Sequence, residues 1–199
     1  IVQLYEVTKR AFIAYWRNPL YIYTKLMLNF VSGLGVGSSF YKEGEKNYYI
    51  ALQNRLFASF MALVSATSLS QHLQPEFIRF RGLFEVREKP SKMYTWPVMV
   101  LSALIVEIPW NLFGGTTYWL PWYYLIHFPT DNKHAGYSWG LYMLFQIYYC
   151  TFAQAMAAVS PNAMIASILF STFFSFVVVF CGVVQPPNQM RSEEHTSEL

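Results

Sequence analysis

Residues 95–126 read TWPVMVLSALIVEIPWNLFGGTTYWLPWYYLI, and Glu107 is the one charged residue among them. A bilayer-spanning helix needs roughly 20 apolar residues. From Trp96 to Trp122 the run corresponds to roughly 39 Å of ideal helix, close to the roughly 40 Å between the two headgroup regions of a bilayer. Trp96 then marks one interface and Trp119, Trp122, Tyr123 and Tyr124 the other, where amphipathic rings prefer to sit. Pro109 lies inside the run and is expected to kink it, because its ring removes a helical hydrogen bond.

Four more runs of this kind flank it: Leu20 to Phe40, Tyr49 to His72, Tyr137 to Val159 and Ala163 to Val184. Ahead of them, Ile1 to Arg17 reads as an amphipathic helix on the membrane surface. Leu4, Val7, Ala11, Ala14 and Tyr15 recur at helical spacing, while Gln3, Glu6, Lys9, Arg10 and Arg17 are polar. Glu6 is spaced to pair with Arg10 one turn on. The expected fold class is an all-α membrane protein: an interfacial helix plus five transmembrane helices. Composition agrees, since 54% of the 199 residues are apolar and only 13% charged, against about 25% charged in soluble domains. The formal charge of +3 is too small to suggest a nucleic-acid partner. Cys150 and Cys181 both lie in apolar runs and read as buried free thiols, with no metal site and no disulfide framework.

Charge gathers between the runs. Gln74 to Lys92 holds Glu76, Arg79, Arg81, Glu85, Arg87, Glu88, Lys89 and Lys92, too many to lie in lipid. Glu85, Glu88 and Lys89, three and four residues apart, predict a short helix ended by Pro90. The side holding this segment and the first helix carries eight Lys and Arg, whereas the other carries Lys42, Lys46, Lys133 and the boundary residue Arg55. By the positive-inside rule the 74–92 segment and the N-terminus are expected in the cytoplasm. Residues 191–199, RSEEHTSEL, follow a Gln185-Pro186-Pro187 break and resemble a translated sequencing adapter, a probable artefact. The native domain is therefore expected to be residues 1–190, cut before a further span.

Several short runs stand out. They are Phe84-Glu85-Val86-Arg87-Glu88-Lys89-Pro90-Ser91-Lys92, then Val106-Glu107-Ile108-Pro109-Trp110-Asn111, then Gly114-Gly115-Thr116. Tyr15-Trp16-Arg17-Asn18-Pro19 and Phe180-Cys181-Gly182-Val183-Val184 join them. Together these resemble the second transmembrane domain of fungal pleiotropic drug resistance ABC transporters, over essentially residues 1–190. The resemblance implies a six-helix domain of the ABC-2 (ABCG-like) type, here without its sixth helix. It implies a parent with two nucleotide-binding domains that use ATP and Mg, and no cofactor in this stretch. It implies ATP-driven export of amphipathic drugs, xenobiotics or lipids across the plasma membrane. The implied partners are membrane lipid, the nucleotide-binding domains, the other transmembrane domain and a hydrophobic small-molecule substrate. It also makes 77–92 an intracellular loop that docks a nucleotide-binding domain. Glu85, Arg87, Glu88 and Lys89 are the coupling candidates, and charge reversal at Glu88 is expected to uncouple ATP turnover from export.

The chain carries no G-x-x-x-x-G-K-[ST] phosphate loop, so it offers no motif for binding or hydrolysing ATP and no catalytic residue. Gly33-Leu34-Gly35-Val36-Gly37 looks like half a dinucleotide fingerprint, but inside a span it reads as a helix-packing surface. Glu107, an intramembrane acid with Asn111 one turn away, has two readings: a polar network between helices, or a part in coupling or translocation. Phe57, Phe60, Met61, Ser65, Phe170, Phe173 and Phe174 likewise have two: in the resembling family these spans line the drug path, and Phe and Met suit promiscuous apolar binding, yet a Phe stripe in a span also serves lipid contact or packing. His72, His127 and His134 lie at span ends without metal-ligand spacing. Glu107 and the glycine-rich first span also motivate an alternative, an ATP-independent channel or secondary transporter.

Overall fold

A computed structural model describes residues 2–42, 49–128 and 131–180. Among the described residues there are α-helices and one π-helical turn, with no strand. The elements are α1 (Val2–Trp16), α2 (Pro19–Ser39), α3 (Tyr49–Leu83), the turn Phe84–Glu88, α4 (Trp96–Ile126), α5 (Asn132–Val159) and α6 (Ala163–Phe180). Local chemistry sets the starts and stops. Pro19 occupies the first turn of α2, where its missing N–H is not needed. His127 ends α4 in the left-handed conformation, its N–H turned back to the carbonyls of Tyr123 and Tyr124.

The bundle is inside out relative to a soluble one. Lys25, Asn29, Gln74, Glu107, Asn111, Gln146 and Gln154 are all buried, whereas Leu101, Ile105, Ile108 and Leu112 form an exposed stripe along one face of α4. In water such a stripe would be unfavourable; in lipid the apolar face is the solvated one and polar side chains turn inward. Among the described residues, three stretches are long and apolar enough to cross a membrane by length and composition: Tyr49–Glu88, Trp96–Ile126 and Ala163–Phe180. The other two expected spans, α2 and α5, are long helices that fall short on hydropathy. Their polar residues Lys25, Asn29, Gln146 and Gln154 lower the average, yet all of these face the protein interior.

Packing shows the helices alternating in direction. Along α2 and α4 the meeting pairs are Lys25 with Glu107, Gly33 with Tyr118 and Gly37 with Pro121, numbers rising together, so these two helices are parallel. A Cβ on Gly33 would stand 2.6 Å from the Tyr118 carbonyl oxygen, and one on Gly37 2.9 Å from that of Pro121. Only glycine permits this approach. Gly35, by contrast, has open space around it, so the packing surface is Gly33 and Gly37 alone. On the other flank, Gln74 donates to the Ala166 carbonyl at 3.2 Å, while Leu69 and Leu73 pack with Phe170 and Phe174, so α3 and α6 run antiparallel.

Several expectations change. The short helix predicted within 74–92 is not separate: α3 runs through Pro75 to Leu83 and widens into the π-helical turn, closed by Lys89 N–H to Phe84 O at 2.8 Å. Leu69, Leu73, Phe77 and Phe84 are buried on one continuous face, and that burial outweighs the hydrogen bond Pro75 cannot make. The charges from Glu76 onward keep this last part of the helix out of lipid. Trp119, Trp122 and Tyr123 form a buried aromatic cluster with Tyr118 and Tyr142 rather than a lipid-facing belt, although Trp96 and Tyr124 are exposed. In α1 the buried residues are Val7, Ala11 and Tyr15, laid along the first half of α4 beside Met99, Val106 and Trp110. The Phe180–Val184 run lies outside the described residues beyond Phe180, as do Cys181 and the boundary at residue 190.

Candidate functional site

Two polar sites stand out, one inside the bundle and one at its charged end. Inside, Lys25 Nζ donates to Glu107 Oε2 at 2.6 Å, and Tyr21 Oη donates to Glu107 Oε1 at 2.7 Å. Lys25 is 6% exposed and Glu107 0%. Lys25, Asn29, Gly33 and Gly37 follow one another at four-residue spacing, so α2 turns a single polar-and-small face to α4. Asn29 Nδ2 donates to the Lys25 carbonyl at 2.8 Å and lies against Gly114, while Asn111 is buried one turn beyond Glu107. A carboxylate held by an ammonium and a phenol has both oxygens satisfied, which is what makes a buried charge tolerable.

At the charged end, Arg10 Nη1 lies 2.6 Å from Glu88 Oε1, and Tyr94 Oη donates to Glu88 Oε2. Arg10 Nη2 donates to the Tyr94 hydroxyl at 3.3 Å. Burial by itself would raise the Glu88 carboxyl, but hydrogen bonds from Arg10 and Tyr94 outweigh it and hold the group below the usual carboxylate range. The same bond to Glu88 keeps Arg10 firmly charged. Burial, and then the bond to Glu88, push Tyr94 up to about 12, so it remains a donor. The expected pairing of Arg10 with Glu6 gives way to this longer-range one, because Glu88 is buried and aimed at α1.

The coupling candidates therefore part company. Glu88 points inward and joins the turn to α1 and to the start of α4, so charge reversal there would act first on that joint. Glu85, Arg87 and Lys89 are exposed on the turn. Arg81 Nε lies 3.6 Å from Glu85 Oε1, and the rest of the guanidinium donates to the carbonyls of Ala157, Ala158 and Ser160 at 2.9, 2.9 and 2.8 Å. The last carbonyls of a helix have no partner of their own, so Arg81 ties the end of α5 to the end of α3.

The substrate-path candidates also divide. Phe170, 1% exposed, and Phe174 pack into the core against Leu69, Leu73, Tyr149 and Cys150, and Phe60 is buried as well. Phe57 and Ser65 are half-buried, while Met61 and Phe173 face outward, Phe173 edge-on to Phe152. A cleft of about 560 Å³ opens on the neighbouring face of α3, between Ala62, Leu63, Trp122, Leu141 and Phe145, with Lys133 and His134 at its mouth. Among the described residues no three His, Cys, Asp or Glu gather as a metal site would require.

Lys25, Tyr21, Arg10, Tyr94 and Arg81 join these sites without having stood out as site residues in the sequence. Lys25 carried the clearest signal: a lysine inside an apolar run needs an acid, and Glu107 is the acid in the central run. For Arg10 and Tyr94 no pattern in the chain points at Glu88.

The profile of the ABC-2 type transporter family matches residues 2–194. The chain is 47% identical over 192 residues to the brefeldin A resistance protein of Schizosaccharomyces pombe, an alignment covering 94% of this chain and 12% of that protein. It is 40% identical over 193 residues to the ABC multidrug transporter MDR1 of Trichophyton interdigitale, again 94% of this chain and 12% of the relative. The chain spans about an eighth of the length of the curated relatives it matches. With a family profile over nearly its whole length, an all-helical bundle and an inside-out distribution of polar residues, this chain belongs to the ABC-2 type transporter membrane family and is homologous to fungal ABC multidrug transporters.

Proposed function

We propose that this chain is the membrane domain of an ATP-driven exporter of amphipathic drugs, xenobiotics or lipids in the plasma membrane. The domain comprises residues 1–190, and all five long helices cross the bilayer. Parallel α2 and α4, with antiparallel α3 and α6, support that count, since helices joined by short connections cross in alternate directions. The first helix and the 74–92 segment face the cytoplasm, in line with the excess of Lys and Arg there.

The observation that carries the reading is the exposed turn bearing Glu85, Arg87 and Lys89, built into the end of α3 and tied to three other helices. Glu88 holds α1, Tyr94 leads into α4, and Arg81 holds the end of α5. A nucleotide-binding domain pressing on this turn moves the whole bundle rather than a loop. ATP and Mg are bound by that partner, and the other transmembrane domain completes the path. Phe57, Met61, Ser65 and Phe173, the candidates that are not core-packed, are the better substrate contacts. Glu107 takes the structural role, because Lys25 and Tyr21 occupy both its oxygens. The channel or secondary-transporter alternative loses its motives on the same ground: Glu107 is paired, and Gly33 and Gly37 are used for packing.

The test is Arg87→Glu in the full-length chain, reconstituted in vesicles. ATP turnover should persist while efflux of a fluorescent amphipathic dye falls about tenfold, the loss of one or two charge-assisted contacts. Efflux that continues unchanged, with normal protein levels, would sink the proposal.

A further inference from the structure

A second cleft, of about 660 Å³, opens at the charged end of the bundle, on the side of the turn away from Arg87. Its inner wall is apolar: Phe77, Phe84, Met99 and Trp96. Its rim carries Arg81, Glu85, Lys89 and Lys92, a net positive set. Arg81 is already committed to Glu85 and to the carbonyls closing α5, which leaves Lys89 and Lys92 as two exposed ammonium groups. Neither is ion-paired among the described residues. Lys92 is held in place by a left-handed backbone, φ 50°, and by its N–H to the Lys89 carbonyl at 3.1 Å, so the two lysines are set on one tight turn. Trp96, 66% exposed, starts the apolar helix α4 beside them. The cleft therefore lies where the charged segment meets the membrane surface.

A wall that is apolar toward the membrane and a rim with two unpaired cations match one kind of occupant. We infer that this cleft binds a phospholipid with a net-negative headgroup from the adjoining leaflet: the headgroup phosphate on Lys89 and Lys92, and the glycerol and upper chain against Trp96, Met99 and Phe84. A soluble anion would use the lysines and leave the apolar wall wet. An uncharged lipid would use the wall and leave the lysines without a counter-charge. Basic pockets between helices at a bilayer surface favour anionic lipids for this reason, each Lys or Arg being worth about fivefold in affinity.

The experiment uses the full-length chain in nanodiscs of phosphatidylcholine and phosphatidylserine at roughly four to one, reading by native mass spectrometry the lipid that stays bound. Phosphatidylserine should be enriched over its bulk share of about one in five, and K89A/K92A should bring the bound fraction back to that share, a loss of up to about fivefold. K89R/K92R, which keeps the charge, should retain it. R87A should retain it too, since Arg87 faces the other side of the turn. Nucleotide-domain docking can fail in R87A without touching this readout, so the two proposals stand or fall separately. No enrichment in the wild type would overturn the inference, as would enrichment that survives K89A/K92A or falls equally in R87A. Displacement of the lipid by millimolar inorganic phosphate would overturn it in favour of a soluble anion.

Discussion

Glu88 and Glu107 are held in the same way and live in different solvents. Each accepts from a cation on an earlier helix and from a tyrosine: Arg10 and Tyr94 for Glu88, Lys25 and Tyr21 for Glu107. In the first triad the Arg10 side chain is 49% exposed, whereas in the second the Lys25 side chain is only 8% exposed. Water and salt therefore reach one pair and not the other. The inner triad is locked, because separating its charges leaves each stranded in a medium that cannot solvate it. The outer triad is adjustable, because its arginine can exchange Glu88 for water at little cost. That is a sensible division if the outer one sits at a moving joint and the inner one holds two helices in register.

The largest effect expected is at the inner triad. Lys25→Met strands Glu107 and should lower the stability of the full-length protein by about 3–5 kcal/mol, read as loss of monodisperse protein or an earlier unfolding midpoint in detergent. Adding Glu107→Leu to it should restore most of that loss. If the double variant is no better than the single one, the two residues do not act as a pair.

Next is the helix contact that keeps the inner triad closed. Gly33→Ile puts a side chain into the Tyr118 carbonyl and should cost about 1–3 kcal/mol of overpacking. Gly35→Ala, with open space around it, should leave the same unfolding midpoint unchanged. Equal losses at both positions would mean that α2 does not present this face to α4.

The outer triad should respond more weakly. Arg10→Ala is expected to cost about 1 kcal/mol or less, since half of that side chain is in solvent, and raising the salt should shrink even this difference. Acid probes the outer triad as well. The folded Glu88 carboxyl lies below its unfolded value, so its contribution is complete above the usual glutamate range, about 4.3, and disappears as pH falls through the lower folded value. A wild-type melting curve should therefore lose stability on acidification that a Glu88→Gln variant has already lost. Parallel pH profiles for the two proteins would remove Glu88 from the account.

How much of this could be read along the chain varies from region to region. The ends of α2 and α4 and the start of α6 were legible, because a run of apolar residues bounded by Pro, charge or a tight turn is a local statement. The start of α5 was placed five residues late, at Tyr137 rather than Asn132, since Lys133 and His134 look like loop residues until they are seen at the mouth of a cleft. In the 74–92 segment the density of charge points to a loop with its own short helix and masks the helical periodicity beneath it. The buried stripe from Leu69 to Phe84 shows that periodicity was the better guide. Of the aromatic candidates, Phe170 and Phe173 differ by three residues yet one is in the core and the other outside, a distinction that depends on which face of α6 meets α3.

Membrane residence, the approximate helix lengths and the family resemblance follow from the order of residues alone, because the energy of placing a segment in lipid is nearly a sum over its own side chains. The partners of the two glutamates do not. Lys25 lies 82 residues before Glu107, and Arg10 finds Glu88 in place of its near neighbour Glu6. Such pairings depend on which helices lie side by side and at what depth, and here the close approach allowed by Gly33 and Gly37 sets the α2–α4 contact. A charge excluded from lipid must meet an opposite charge somewhere, and the folded bundle supplies the place.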